Sequence, residues 1–230
     1  MKLSIIIPVF NEEKTIQEII NRVEKTDLGE RMTKEIIVID DGSTDKTKKI
    51  LREISTKARI RVFTHQKNQG KGAAVRRGIK ESIGDIILIQ DADLEYSPSD
   101  YPKLLEPIIS KKAQIVYGNR MWLGVKPEFY FSFLGNKLLT GFTNLLFKSK
   151  LSDVFVCYKV FKKEVLKGIE LKSNGFNIEI ELTAKFLKKK IKIQEIPISY
   201  QGRGWNEGKK ISFWDGLVAL FNVFYYRFFD

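Results

Sequence analysis

The sequence predicts a doubly wound α/β fold, in which helices flank a mostly parallel sheet. In the first half of the 230 residues, short runs rich in Ile and Val alternate with longer amphipathic stretches. The runs begin about every 25–30 residues, which is the length of one strand–helix unit. Each run is almost continuously apolar, as is typical of parallel strands buried on both faces. Ligands are expected beyond the carboxyl ends of such strands.

Five strands and four helices are predicted in this first half. Ile16, Ile20 and Val23 show the helical spacing, because residues three or four apart share one face of a helix. The predicted strands are residues 3–9, 35–40, 60–64, 86–90 and 114–117, and the predicted helices are residues 12–25, 44–56, 72–82 and 99–110.

The second half is less regular. Pro197 indicates that the last strand lies at a sheet edge, because proline cannot donate to a central ladder. Glu179 and Glu181 are two residues apart on a predicted helix, so we expect only one of them, Glu179, to point inward. The predicted elements are a strand at residues 154–161, a helix at 177–190, a strand at 192–199 and a final helix at 211–229.

No internal repeat or low-complexity linker divides the chain. We therefore expect one domain, residues 1–210, followed by an amphipathic C-terminal helix, residues 211–230. Neither a signal peptide nor a charge-free apolar run of about 20 residues is predicted. Aromatic residues crowd the last helix, and a second apolar helix is predicted over residues 129–147, as expected of helices at a lipid interface. Peripheral attachment to the cytoplasmic side of a membrane is the prediction, and packing on the core or in a homo-oligomer is the alternative.

The composition limits the possible chemistry. The chain has 40 Lys and Arg against 28 Asp and Glu, a formal net charge of +12. This excess is compatible with nucleic acid, an anionic membrane or a phosphorylated substrate. A single cysteine, Cys157, excludes a disulfide framework, and a single histidine, His65, argues against a His-rich zinc site or a Ser–His triad. Enzymatic chemistry would therefore use carboxylates, Lys, Arg and backbone groups.

Polar residues gather after four of the predicted strands, in residues 8–12, 40–45, 68–72 and 91–95. Because the carboxyl ends of parallel strands meet at one edge, these segments are expected to open onto the same site. Each segment alone has a structural explanation, since Asp, Asn and Gly also form turns and helix caps. The glycine-rich loop at 70–72 matches neither GxGxxG nor GxxxxGK[ST], which argues against a dinucleotide dehydrogenase and a P-loop ATPase.

Asp91 and Asp93 are the pair of residues that indicates one particular chemistry most specifically. Two residues apart at a strand end, their side chains point to the same side of the chain. Carboxylates held this close repel each other unless a cation or a proton lies between them. Oxygen ligands suit Mg²⁺ or Mn²⁺, and Glu95 could supply a third oxygen. The alternative is a pair of solvated acids that begins the next helix.

Together these segments resemble the motifs of the family 2 glycosyltransferases, which have the GT-A fold. The motifs are Pro8-Val9-Phe10-Asn11-Glu12, Asp40-Asp41-Gly42-Ser43, Gly70-Lys71-Gly72 and Asp91-Ala92-Asp93. Within the family the chain most resembles the polyprenyl-phosphate (dolichol-phosphate) mannosyl- and glucosyltransferases. The resemblance covers about residues 3–210 and implies inverting transfer of a hexose from GDP-mannose or UDP-glucose to a polyprenyl phosphate.

The resemblance also assigns residues to roles. Asp91 and Asp93 match the family's metal motif, with Mg²⁺ or Mn²⁺ as cofactor and Glu95 where relatives often carry Gln. Residues matched to nucleotide-sugar binding are Pro8, Phe10 (more often Tyr in the family), Glu12, Asp40, Asp41, Gly70, Lys71, Asp91, Ala92 and Asp93. Residues matched to the acceptor phosphate are Arg120, Arg203, Lys209 and Lys210, and those expected to be catalytic are Asp93, Asp153, Arg120 and Arg203.

Two alternatives stay open. A phosphate acceptor is largely ionised near pH 7, because its second pKa is about 6, so it needs no strong base. A glycosyltransferase acting on a glycan or another hydroxyl acceptor would need one, and strong dependence on Asp153 would favour it. The second alternative is a basic nucleic-acid-binding protein, whose affinity for any duplex would depend steeply on salt concentration. We predict no nucleic-acid partner, because the clustered acids repel phosphates.

Overall fold

The computed structural model describes residues 1–30, 32–55, 60–120, 130–202 and 213–230. Strands and helices alternate through the first half, as the sequence predicts. The strands are β1 (Lys2–Val9), β2 (Thr33–Asp40), β3 (Ile60–Thr64), β4 (Ile86–Ile89), β5 (Ile115–Asn119), β6 (Lys159–Lys162) and β7 (Ile193–Pro197). The helices are α1 (Ile16–Lys25), α2 (Thr47–Ile54), α3 (Lys71–Glu81), α4 (Tyr101–Ile109), α5 (Tyr130–Phe147), α6 (Ile178–Lys188) and α7 (Phe213–Phe228).

The described strands form one sheet with the order β3-β2-β1-β4-β6-β5-β7. Strands β1 to β4 are parallel, with β1 paired to β2 on one side and to β4 on the other. Residues 3–9 of β1 are all buried, which agrees with the continuous apolar run that predicts a central strand. This half of the sheet confirms the predicted α/β architecture and brings the carboxyl ends of four strands to one edge.

Strand β6 departs from the prediction. The sequence predicts a strand over residues 154–161, whereas β6 covers only Lys159–Lys162 and runs antiparallel between β4 and β5. The apolar residues before it are buried without joining the ladder: Val154 is 1% exposed and Val156 is fully buried. Burial alone makes a strand and a buried irregular segment look alike in sequence. Strand β7 lies at the sheet edge, as predicted, and ends at Pro197, two residues before the predicted end.

Helices α5, α6 and α7 pack around a second apolar cluster beside the main core. Its buried members include Leu139 of α5, Ile180 of α6 and Val223 of α7. Phe142 and Leu146, which the sequence assigns to an outer surface, pack partly against this cluster. The opposite face of α7 is exposed, as the helical spacing predicts. Its exposed apolar residues are Leu217, Val218, Leu220, Phe221, Phe224, Tyr225 and Phe228. Among the described residues, no helix combines the length and the apolar character needed to cross a bilayer.

Candidate active site

Direct contacts join the four polar segments at the carboxyl edge of the sheet, as the sequence predicts. Two of these contacts connect the loops of neighbouring strands, β1 with β2 and β2 with β3. The third connects the loop after β3 to the loop after β4, so the contacts link all four segments. The links are the Asn11 N–H donating to Ser43 Oγ (3.0 Å), the Gly70 N–H donating to Asp41 Oδ2 (2.7 Å), and Lys71 Nζ paired with Asp91 Oδ1 (2.7 Å).

The adjacent acids Asp40 and Asp41 have different surroundings. Asp41 Oδ1 lies 2.7 Å from His65 Nδ1, and its carboxylate also accepts the backbone N–H groups of Gln69 and Gly70. It therefore holds the loop before α3 in place. Asp40 Oδ1 accepts the Ser43 N–H, but its buried Oδ2 has no hydrogen-bond partner among the described residues. A buried acceptor without a partner is costly, so Asp40 is the acid left to receive a ligand's N–H or O–H group.

The other residues predicted to hold the nucleoside line the same edge. Pro8 is buried in β1 opposite Ile39, and Phe10 is half-buried just beyond the strand. The carboxylate of Glu12 accepts a hydrogen bond from the Thr15 hydroxyl (2.9 Å). This contact holds the Glu12 carboxylate beside Thr15, the residue before α1.

Gly70 is required where the loop meets the second half of the chain. Its φ is +98°, in the left-handed region that favours glycine, and an added Cβ would lie 2.4 Å from the Asn174 carbonyl oxygen. Gly72 is equally close to the Ser173 carbonyl oxygen, at 2.3 Å. The short glycine-rich loop thus allows a close backbone approach that larger residues would prevent.

Lys71 begins α3 and faces the acidic motif, which is the segment of residues 91–95 after β4. Burial alone would lower the pKa of Lys71, but its interactions with Asp91, Cys157 and Glu179 together outweigh burial and raise that pKa well above its ordinary value. Burial alone would raise the pKa of Asp91, but the Lys71 ammonium, a hydrogen bond with Cys157 and the charge of Lys159 together outweigh burial and lower that pKa. The two groups are therefore an ion pair at neutral pH.

The donor chemistry of Asp91 and Asp93 fits a divalent cation. Both are half-buried carboxylates of one segment, and Asp91 already binds the cationic Lys71. Hard oxygen ligands suit Mg²⁺ and Mn²⁺, which commonly share one or two carboxylates with substrate phosphates. Glu95, the predicted third ligand, accepts a hydrogen bond from the Tyr200 hydroxyl through its Oε2 (3.1 Å). Among the described residues, no three His, Cys, Asp or Glu side chains are grouped to hold a metal ion. Ala92, between the two aspartates, is 4% exposed.

Arg120 and Asp153 form an ion pair near the acidic motif, in which Asp153 is fully buried and Arg120 is partly exposed. Arg120 Nε lies 2.5 Å from Asp153 Oδ2, while Asp153 Oδ1 accepts from Asn136 Nδ2 (2.8 Å) and the Phe155 N–H (2.9 Å). Burial alone would raise the pKa of Asp153, but the Arg120 guanidinium and these hydrogen bonds outweigh it and lower that pKa. Both oxygens of Asp153 are thus engaged, which makes it a weak candidate for a general base.

Two tyrosines hold Arg120 in place, and neither was predicted to contact it. Arg120 Nη1 donates to the Tyr96 hydroxyl (3.1 Å), and the guanidinium lies 5.1 Å from the centre of the Tyr200 ring. Because Tyr200 also donates to Glu95, it connects the acidic motif to Arg120. No pattern marks Tyr96, although its place directly after the polar segment at residues 91–95 is a weak signal.

The structure also corrects the expectation for α6. Glu179 and Glu181 are both buried, at 2% and 0% exposure, because the first turn of α6 is covered on two sides. Glu179 pairs with Lys71 and Lys159, while Glu181 accepts the backbone N–H groups of residues 172 and 173. Lys159 is a functional candidate that sequence reasoning missed; a lysine inside an apolar run was the available signal. Arg203, Lys209 and Lys210 lie outside the described residues.

The strand order and the acidic segment after β4 define the GT-A class of α/β fold. The fold matches that of glucosyl-3-phosphoglycerate synthase from Mycobacterium tuberculosis, with a TM-score of 0.73 and 21% identity over 98% of this chain and 79% of that one. That synthase has been crystallised with Mn²⁺, UDP and phosphoglyceric acid. A model of glycosyl transferase family 2 matches residues 4–169. The chain belongs to glycosyl transferase family 2.

Similar sequences include two lipid-phosphate sugar transferases. The dolichol-phosphate mannosyltransferase of Pyrococcus furiosus is 34% identical over 213 residues, which cover 91% of this chain and 59% of that protein. The human dolichyl-phosphate beta-glucosyltransferase is 31% identical over 240 aligned positions, which cover 94% of this chain and 72% of that protein. The chain therefore spans less than two thirds of the length of the Pyrococcus relative.

Proposed function

We propose that the protein transfers a hexose from a nucleotide sugar to a polyprenyl phosphate, with inversion at the anomeric carbon. The observation that carries this proposal is the position of Arg120, which is held between Tyr96 and Tyr200. Tyr200 also contacts Glu95 of the acidic motif, so it links that motif to Arg120. This arrangement offers a cation for an acceptor phosphate next to carboxylates suited to a metal-bound diphosphate. The two similar lipid-phosphate transferases support the same acceptor class.

In the donor half of the proposed site, each loop would bind a different part of the nucleotide sugar. Asp40, with its buried unpaired Oδ2, would accept an N–H or O–H group of the nucleoside, beside Pro8, Phe10 and Glu12. Asp91 and Asp93 would hold Mg²⁺ or Mn²⁺, which offsets the negative charge on the departing nucleoside diphosphate. Gly70 and Lys71 lie at the N-terminus of α3, where backbone N–H groups favour anions.

In the acceptor half of the proposed site, cationic side chains would bind and position the acceptor phosphate. Arg120 would bind the acceptor phosphate, with Arg203, Lys209 and Lys210 as further cations of the proposed site. Asp153 would orient Arg120, because both of its oxygens already accept hydrogen bonds and its pKa is lowered. This arrangement favours a phosphate acceptor, which brings its own charged nucleophile, over a hydroxyl that needs deprotonation.

A donor screen followed by a transfer assay tests the function. UDP and GDP, each with Mn²⁺, are compared for their effect on Tm, and a ligand at 100 times its Kd should raise Tm by about 5–10 °C. The matching nucleotide sugar is then supplied with a short prenyl phosphate or with the corresponding prenyl alcohol. We expect transfer to the phosphate alone. Equal transfer to the alcohol or to a glycan would instead favour the hydroxyl-acceptor alternative.

We further propose that the catalytic domain, residues 1–210, attaches to the membrane surface through α5 and the C-terminal helix. The exposed apolar face of α7 continues to Phe229, and Leu138 and Leu145 of α5 are 68% and 74% exposed. Such a surface, on a chain with net charge +12, suits an interface with anionic lipid. The lipid acceptor is then reached without leaving the membrane surface.

Phe221→Ser should weaken binding to vesicles of phosphatidylcholine and phosphatidylglycerol. Phe221 is 66% exposed on α7, and losing its insertion should reduce the partition coefficient about tenfold in a co-sedimentation assay. Ile83→Ser is the matched control, because Ile83 has the same exposure, 66%, on another surface. Equal effects of the two substitutions, or an intact protein that stays monomeric and never sediments with these vesicles at low salt, would contradict the proposal.

A further inference from the structure

Four alternating charges run from the protein interior to the acidic motif, in the order Lys159, Glu179, Lys71 and Asp91. Lys159 Nζ lies 2.6 Å from Glu179 Oε2, and Lys71 Nζ lies 3.0 Å from Glu179 Oε1 and 2.7 Å from Asp91 Oδ1. Their side-chain exposures rise along the row, from 0% and 3% to 11% and 16%. The row therefore has a buried inner end and an outer end that solvent reaches.

The inner end is fixed. Lys159 Nζ donates to the carbonyl oxygens of Val154 (3.2 Å) and Val156 (2.5 Å) as well as to Glu179. A lysine ammonium has three donors, so all of them are used. Glu179 lies in the first turn of α6, where the helix dipole also stabilises a carboxylate. Glu179 is thus held as an anion that faces Lys71.

The outer end can rearrange. Lys71 has a flexible four-carbon stem, and its ammonium contacts Asp91, Glu179 and the Cys157 sulfur (3.2 Å). A thiol is a weak acceptor, so the two carboxylates are the strong partners. If the contact with Asp91 is lost, Lys71 keeps a charged partner in Glu179. The ammonium can therefore leave Asp91 without becoming an unpaired buried charge.

We propose that Lys71 is a displaceable counter-ion of Asp91, and that Glu179 receives it when a divalent cation binds the acidic motif. This inference rests on the proposed function, which assigns the cation to Asp91 and Asp93. An ammonium 2.7 Å from a ligating oxygen repels a divalent cation, because like charges at this range disfavour each other. Lys71 then weakens metal binding in the absence of the donor, whereas Glu179 eases it by holding Lys71 away.

Titration of nucleotide-free protein with Mn²⁺, followed by the electron paramagnetic resonance signal of the free ion, tests this competition. Lys71→Met should bind Mn²⁺ about tenfold more tightly than the unmodified protein. Glu179→Gln should bind it several-fold more weakly when Lys71 is present and should have little effect in the Lys71→Met background. If Glu179 acts only through its own negative charge and does not receive Lys71, Glu179→Gln should change Mn²⁺ affinity equally in both backgrounds. That result would overturn the proposal.

Three further variants sharpen the experiment. Lys103→Met removes the same charge from a pair with Asp100 outside the site, so it should leave Mn²⁺ affinity unchanged. Asp91→Asn in the Lys71→Met background should abolish the tight binding, which assigns it to the acidic motif. Glu179→Asp keeps the charge but withdraws the carboxylate, so it should weaken Mn²⁺ binding even if Glu179→Gln folds poorly.

The outcomes separate this inference from the proposed function. Metal-dependent sugar transfer without tighter Mn²⁺ binding by Lys71→Met would overturn the counter-ion role and leave the transferase proposal standing. Tighter Mn²⁺ binding that shows the predicted dependence on Glu179, in a protein that turns over no nucleotide sugar, would support the counter-ion and contradict the transferase.

Discussion

Replacing Asp93 with asparagine is expected to lower sugar transfer by at least about a hundredfold, because it removes charge stabilisation at the leaving group. A neutral amide is a poorer ligand than a carboxylate for Mg²⁺ or Mn²⁺. The fold should survive, since Asp93 Oδ1 accepts the Glu95 N–H (3.1 Å) and an asparagine carbonyl oxygen can do the same. Transfer of labelled sugar to prenyl phosphate, measured together with Tm, separates the two effects.

Glu106→Gln is the matched control for this substitution. Glu106 forms a loose surface pair with Lys112 (3.8 Å) and is 62% exposed, so the same chemical change should leave transfer intact. Undiminished transfer by Asp93→Asn in the presence of a chelator would contradict the metal assignment. Equal loss of Tm and of activity would point to a structural role for Asp93.

Among the single substitutions described here, Lys159→Met is expected to lower the thermal stability most. Lys159 is fully buried, and without it one oxygen of Glu179 loses its charged partner. Breaking a buried ion pair from one side costs about 3–5 kcal/mol, which lowers Tm by roughly 10 °C for a domain of this size. Thermal unfolding followed by circular dichroism measures the shift.

The double variant Lys159→Met with Glu179→Leu should recover most of the lost stability, because replacing both partners of a buried pair with apolar groups is often neutral. Lys112→Met, which removes an exposed lysine from a loose pair, should leave Tm unchanged. If Lys159→Met unfolds at the same temperature as the unmodified protein, the buried row of charges contributes little to stability.

Much of the fold could be predicted because its first half repeats one local pattern. Strands β1 to β4 are apolar runs, and each begins within two residues of its predicted position. The antiparallel β6 could not be predicted, because the run at residues 154–161 is apolar whether it joins a ladder or only fills the core. Its position between β4 and β5 depends on pairing with strands far away in sequence.

The candidate site was predictable where one strand end supplied a whole motif. The contacts among the loops after β1 to β4 agree with the expectation that these segments share an edge. The tyrosine cage around Arg120 was not predictable, because Tyr96 and Tyr200 flank it only after the second half of the chain folds back. Nothing in the local sequence indicates that either tyrosine contacts Arg120.

The local pattern of the sequence was sufficient to predict the α/β class, the four polar loops and the two neighbouring acids after β4. Strand ends alternate their side chains and parallel strands share a direction, so these features need no knowledge of distant contacts. Tertiary structure alone decided that Asp91 faces Lys71, that Glu179 joins Lys71 to Lys159, and that Glu95 turns to Tyr200. These partners are far apart along the chain, and packing selects among the many pairings that their charges would permit.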